Sequence, residues 1–105
     1  ELSLKSLNLR DCFQRDASGW FAFCRALAST NCALEALDLC SNGFEDSHMV
    51  ALSASLVGNS TLKDLRLSGN SRIRGGLGNL ADVLEQPNSV LENLRLCRCH
   101  LNDAV

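Results

Sequence analysis

The sequence predicts an α/β fold in which a curved parallel sheet lines one side of a solenoid and helices line the other. Three observations lead there. A nine-residue pattern with leucine at its first, fourth and sixth positions occurs four times, as LKSLNLRDC from Leu4, LEALDLCSN from Leu34, LKDLRLSGN from Leu62 and LENLRLCRC from Leu91. The copies start 30, 28 and 29 residues apart and take up twelve of the twenty leucines, a spacing that fits stacked strand-and-helix units. Between the copies the apolar residues change to a helical period.

Within each copy the fourth and sixth residues alternate with polar ones, the period of a short strand with one buried face. In the second copy this turns Leu37 and Leu39 inward and Ala36, Asp38 and Cys40 outward. Trp20, Phe23 and Leu27 fall at i, i+3 and i+7, as do Met49, Leu52 and Leu56, and then Leu77, Leu80 and Leu84; each trio lines one face of a helix. Asp16 or Ser18 is expected to cap the first helix and Asp46 and Ser47 the second, by accepting hydrogen bonds from free N-terminal amides. Gly58-Asn59 and Pro87-Asn88 mark the turns back to the next strand. One unit cannot bury both its leucines and its helix face. Units stacked side by side can, with the strands paired in parallel and the helices packed behind them. The chain divides accordingly into 1–30, 31–58, 59–87 and a partial unit 88–105 within a single segment.

The ninth position of the pattern reads Cys12, Asn42, Asn70 and Cys99. It lies inside the turn after the strand, where an amide or a thiol can bond backbone groups that burial would otherwise leave unpaired. The pattern LxxLxLxx(N/C), its spacing of 28 to 30 residues and the helix after each strand resemble the ribonuclease-inhibitor subclass of leucine-rich repeats over nearly the whole chain. The resemblance implies a concave parallel sheet, an outer layer of helices and a protein partner. It spans ribonuclease inhibitors, nucleotide-sensing receptors, Ran GTPase-activating proteins, tropomodulins, actin-capping regulators and ciliary scaffolds, so it specifies fold more closely than function. Two places depart from the pattern: FQRDASGW adds residues to the first unit, and NSRIRGG sets Ile73 one place later than Phe44 and Leu101 stand in theirs. The pattern begins at once, and HLNDAV would open a fourth helix without a polar cap, so the segment is expected to be contiguous with further repeats of its own chain.

Composition narrows the function classes. The chain has 105 residues, 46% of them hydrophobic and 21% charged, which fits a soluble folded class. A net charge of -2 is too small to drive binding to nucleic acid or anionic lipid by field alone. No apolar run approaches the roughly 20 residues of a membrane span, and the N-terminus has no signal-peptide pattern. The six cysteines read as reduced thiols serving as small buried hydrophobes, because the apolar periodicity already supplies the core that a disulfide framework would replace. The expected compartment is the cytoplasm, with cytoskeletal and ciliary settings among those the resemblance implies.

The outward positions of the strands are the first place to look for function. The third column reads Ser6, Ala36, Asp64 and Asn93; the fifth Asn8, Asp38, Arg66 and Arg95; the seventh Arg10, Cys40, Ser68 and Cys97. Strands about 4.8 Å apart make Arg66 and Arg95 neighbours, with Arg98 close by at the eighth position and Asp38 and Asp64 beside them. Asn8, Arg10, Asp38, Asp64, Arg66, Arg95 and Arg98 are therefore the candidate protein-binding residues, on a mixed-charge face that selects its partner by complementarity. The competing reading is a solvated face whose charges pair with one another and contribute little.

Other signals carry less chemistry. CRCH, Cys97 to His100, has one residue between its cysteines and lacks the paired spacing of a zinc site, so no metal or cofactor is expected. His48 belongs to the helix side and Cys40 to the opposite surface, which leaves a Cys/His pair out of reach and catalysis unexpected. GGLGN, Gly75 to Asn79, lacks the lysine of a phosphate loop and reads as the entry to the third helix. Trp20 and Phe23 lie on the helix stripe and should be core, whereas Phe21 points off it; packing against the extra residues of the first loop is expected, with an exposed anchor for a partner as the alternative. The expected function is a non-catalytic interaction module or scaffold segment that binds a protein through the concave face within a larger assembly, without nucleic acid or membrane. The alternatives are the regulatory array of a GTPase-activating protein and the sensor domain of a nucleotide-binding receptor.

Overall fold

A computed structural model describes residues 4–13, 17–29, 32–70, 72–87 and 89–97. Strand and helix alternate along the chain: β1 (Ser6–Asn8), α1 (Ala17–Ala28), β2 (Ala36–Asp38), α2 (Asp46–Gly58), β3 (Asp64–Arg66), α3 (Leu77–Leu84) and β4 (Asn93–Arg95), with a 3-10 turn at Arg74–Gly76 before α3. The strands form one sheet in the order β1-β2-β3-β4, every pair parallel. The register follows the leucine count: Leu7 opposite Leu37, Leu37 opposite Leu65, Leu65 opposite Leu94. Because side chains alternate across a strand, this register sets one leucine of each copy against the same position of the next.

The three helices pack in order behind the sheet, α1 against α2 and α2 against α3. One hydrophobic core joins the two layers. Leu37, Leu39, Leu65 and Leu67 enter it from the strands and Trp20, Leu27, Met49, Leu52 and Leu80 from the helices, all nearly inaccessible to solvent. Phe23, Leu56, Leu77 and Leu84, also on the expected stripes, pack against that core while only partly buried. At about 25 cal/mol per Å² of apolar surface, full burial of each such side chain stabilises the fold by roughly 1.5–3 kcal/mol. Phe13, from the irregular first loop, meets Trp20 edge-on at 5.2 Å between ring centroids, and Phe44 lies 4.5 Å from Trp20. The Trp20 indole N–H donates to the His48 carbonyl at 3.2 Å, so this aromatic group ties the first unit to the second. Phe21 is 43% exposed, as its place off the stripe requires.

The ninth-position asparagines are the polar counterpart of this core. The Asn42 Oδ1 accepts the N–H groups of Cys12 and Phe13 at 2.7 and 2.8 Å, and its Nδ2 donates to the carbonyls of Leu9 and Leu39. Asn70 repeats the arrangement one unit on: its Oδ1 accepts from the N–H groups of Asn42 and Phe44, and its Nδ2 donates to Leu39 and Leu67. Each amide thus satisfies the turn of its own unit and of the preceding one. Cys12, in the same position, is exposed, and its thiol donates to the Arg10 carbonyl at 3.4 Å; Cys99 lies outside the described residues.

Three local expectations are corrected or left outside. The start of α2 is held by Glu45 and His48 in a capping box, with the Glu45 N–H donating to His48 Nδ1 at 3.0 Å, and not by Asp46 and Ser47. Asp46 is drawn away by the next unit, where its Oδ1 accepts the Gly76 N–H. That contact needs glycine: a Cβ at Gly76 would stand 2.5 Å from the Met49 Cβ. Asp16 and the Ser18 side chain, expected at the start of α1, fall outside what is described. Of GGLGN, only Gly75 and Gly76 precede the third helix. No helix among the described residues is long and apolar enough to cross a membrane.

Candidate protein-interaction face

The helices cover one face of the sheet and leave the other open. The register sets the outward residues in rows: Ser6, Ala36, Asp64 and Asn93 across the third column, and Asn8, Asp38, Arg66 and Arg95 across the fifth. Sequence counting therefore locates these neighbours, Arg66 beside Arg95 included. Arg98 lies outside the described residues.

The fifth column changes character along the sheet. On β1 the Asn8 Oδ1 accepts the Arg10 N–H at 3.0 Å, and on β2 the Asp38 Oδ1 accepts the Cys40 N–H at 3.0 Å, so both short side chains fold back on their own strands. Arginine at 66 and 95 has no acceptor for such a turn. The ion pairs on this face are loose: Arg10 to Asp38 at 3.9 Å and Arg66 Nε to Asp64 Oδ1 at 3.8 Å, both beyond hydrogen-bond length. Asp64 Oδ1 is covered yet has no hydrogen-bond partner. Arg95 makes no ion pair among the described residues.

Cys40 departs from expectation. It stands in an outward column, as its place in the pattern predicts, but only 5% of it is accessible. Burial, then the hydrogen bond to Asp38 and the negative charge of that carboxylate, push the Cys40 thiol above its ordinary value. For Asp38, burial alone would act upward, but the hydrogen bonds from the Cys40 thiol and backbone and the charges of Arg10 and Arg66 outweigh it and hold the carboxyl below its ordinary value. Asp38 is thus a carboxylate at neutral pH, with 14% of its side chain accessible.

A depression of about 180 Å³ opens between the first three strands, lined by Ser6, Asn8, Ala36, Asp38, Asp64 and Arg66 together with backbone-side leucines. Four of the candidate residues meet there. Outside that lining, Arg10 stands 3.9 Å from Asp38 and Arg95 is the register neighbour of Arg66. Sequence reasoning does not single out Ser6 and Ala36, although their small size in the third column is what leaves the space. Elsewhere, Cys12, Cys24, Cys32 and Cys40 are free thiols. Among the described residues no group of three or more His, Cys, Asp and Glu side chains gathers to hold a metal ion; His100 and Cys99 of CRCH lie outside them.

No family model matches the chain. It is 38% identical over 87 residues to NACHT, LRR and PYD domains-containing protein 14 of Mus musculus, a match covering 83% of this chain and 9% of that protein. It is 34% identical to the Homo sapiens protein 14 of the same name over 94% of this chain and 8% of that protein. Protein 5 of that series from Homo sapiens is 33% identical over 77% of this chain and 7% of its own length. The chain spans less than a tenth of the length of these curated relatives. All three names include leucine-rich repeats, which agrees with the leucine pattern and the parallel sheet.

Proposed function

We propose that this chain is a stretch of a ribonuclease-inhibitor-like leucine-rich-repeat solenoid that binds a protein partner through the open, concave face of its sheet and performs no catalysis itself. The observation that carries this reading is the division between the two faces. One is consumed by the core, while the other aligns Asp38, Asp64, Arg66 and Arg95 in register around a depression without closing them into tight pairs. A preformed surface of this kind gains affinity from many modest contacts at little ordering cost. The relatives' names couple leucine-rich repeats with NACHT and PYD domains, which favours the sensor domain of a nucleotide-binding receptor over a GTPase-activating array.

The test compares partner recovery by the parent protein with and without Arg66→Glu and Arg95→Glu, beside a helix-side control, Val57→Glu, at a residue that is 57% exposed. The reading expects proteins that bind the parent to be lost with the sheet-face pair and kept with the control. The reverse pattern would move the interaction to the helices.

A further inference from the structure

We propose that the open sheet face takes a partner surface carrying a guanidinium and a carboxylate about 6 Å apart, the guanidinium seated between Asp38 and Asp64 and the carboxylate over Arg66 and Arg95. This rests on the proposed use of the open face and adds the chemistry and order of what docks there. The spacing follows from the register: the midpoint of the aspartate pair and that of the arginine pair differ by one strand across and one residue along. Residues i and i+2 of an extended segment meet it.

The charges are sorted on this face. Asp38 and Asp64 lie diagonally across β2 and β3 and border the depression, where Ser6 and Ala36 leave room beside them. Both retain acceptor capacity. Asp38 accepts from the Cys40 N–H and thiol and has the Arg10 guanidinium only at 3.9 Å, while Asp64, whose side chain is 28% accessible although its Oδ1 is covered, has only the Arg66 guanidinium at 3.8 Å. A planar guanidinium offers five N–H donors in a fixed fork and can serve two carboxylates at once, which a compact ammonium does less well. Arg66 and Arg95 stand side by side on β3 and β4 as like charges, and a carboxylate between them relieves their repulsion. An all-acidic partner would meet the two aspartates, and an all-basic one the two arginines. Only a mixed pair complements both.

The test uses capped eight-residue peptides of alanine bearing Arg and Glu at i and i+2, or Glu at both, or Arg at both, titrated into the isotope-labelled chain while backbone amide shifts are followed. The mixed peptide should give saturable shifts at Ser6, Asn8, Asp64, Arg66 and Arg95 and bind at least tenfold tighter than either single-sign peptide. Asp64→Asn, nearly isosteric, and Arg95→Glu should each weaken the mixed peptide at least fivefold while the remaining spectrum stays that of the folded chain. Equal binding of a single-sign peptide, no saturable binding of the mixed one, or indifference to both substitutions would overturn the charge assignment and leave the open face standing as a docking site. Saturable shifts confined to the helices would overturn both.

Discussion

The buried turn spine and the open sheet face are both polar, yet they are built in opposite ways. Asn42 and Asn70 are 2% and 0% exposed, and each amide makes short bonds to backbone groups of two successive units. The ion pairs of the face span 3.8 to 3.9 Å, and their side chains remain open to solvent in part. Polar groups that must be satisfied inside stabilise; polar groups left loosely satisfied outside contribute little to folding and are available to a partner. The comparison teaches that the same repeat positions divide into those that join units and those that face outward.

Breaking the spine should have the largest effect. Asn70→Ala removes four hydrogen bonds and leaves the Asn42 and Phe44 N–H groups buried without acceptors, at roughly 1–3 kcal/mol for each orphaned group. Urea denaturation should therefore show a loss of about 4 kcal/mol, a large part of the stability of a domain this size. Gly76→Ala comes next, since its Cβ would press on Met49 Cβ; a loss of about 1–3 kcal/mol is expected in the same experiment.

The face should behave differently. Asp64→Asn and the pair Arg66→Glu, Arg95→Glu are expected to shift the urea-derived stability by no more than about 0.5 kcal/mol while impairing partner binding. A fall comparable to that of Asn70→Ala would mean the face is structural, and the contrast with the spine would dissolve.

Two smaller effects sharpen the comparison from the titrating groups. Burial, eased only in part by a hydrogen bond with Ser55, pushes the Cys24 thiol up to about 11. Since the thiolate is the reactive form, Cys24 should alkylate at pH 8 far more slowly than the exposed Cys12 and Cys97, as mass spectrometry of partly modified chain would show. Asp38 carries a lowered folded value, so its contribution is complete above the ordinary carboxyl value of 3.8 and is lost as pH falls through the folded value. Acid titration of stability should be slightly shallower in Asp38→Asn below about pH 4 than in the unaltered chain.

The strand register was legible because leucine spacing fixes which side chains turn inward, and one slip would expose them all. The asparagine role was legible for the same reason: a buried turn must find acceptors and donors, and the ninth position alone recurs there. Asn59 shows where legibility ended. The sequence marks it as a turn residue, but its Nδ2 donates to the Leu27 carbonyl 32 residues away and its Oδ1 accepts from Thr61 and Leu62. Asparagine stands three residues before the leucine pattern at 31, 59 and 88, a recurrence that could have signalled this. The α2 cap was missed because Asp46 competes for two jobs, and the neighbouring unit's Gly76 N–H wins it. Cys40 stands in its expected column and is buried all the same, because position along a strand gives a direction and not how far the surroundings cover a side chain. On the face, the order of residues could be counted, but the depression and the loose pairings depend on side-chain conformations that spacing does not encode.

Amide hydrogen exchange tests the central claim most directly, that side-chain amides lock successive units into one cooperative body. The N–H groups of Cys12, Phe13, Asn42 and Phe44, all held by an asparagine Oδ1, should exchange as slowly as the strand amides and open together with them. Exchange at these four sites as fast as at free surface loops, with the strands still protected, would contradict it.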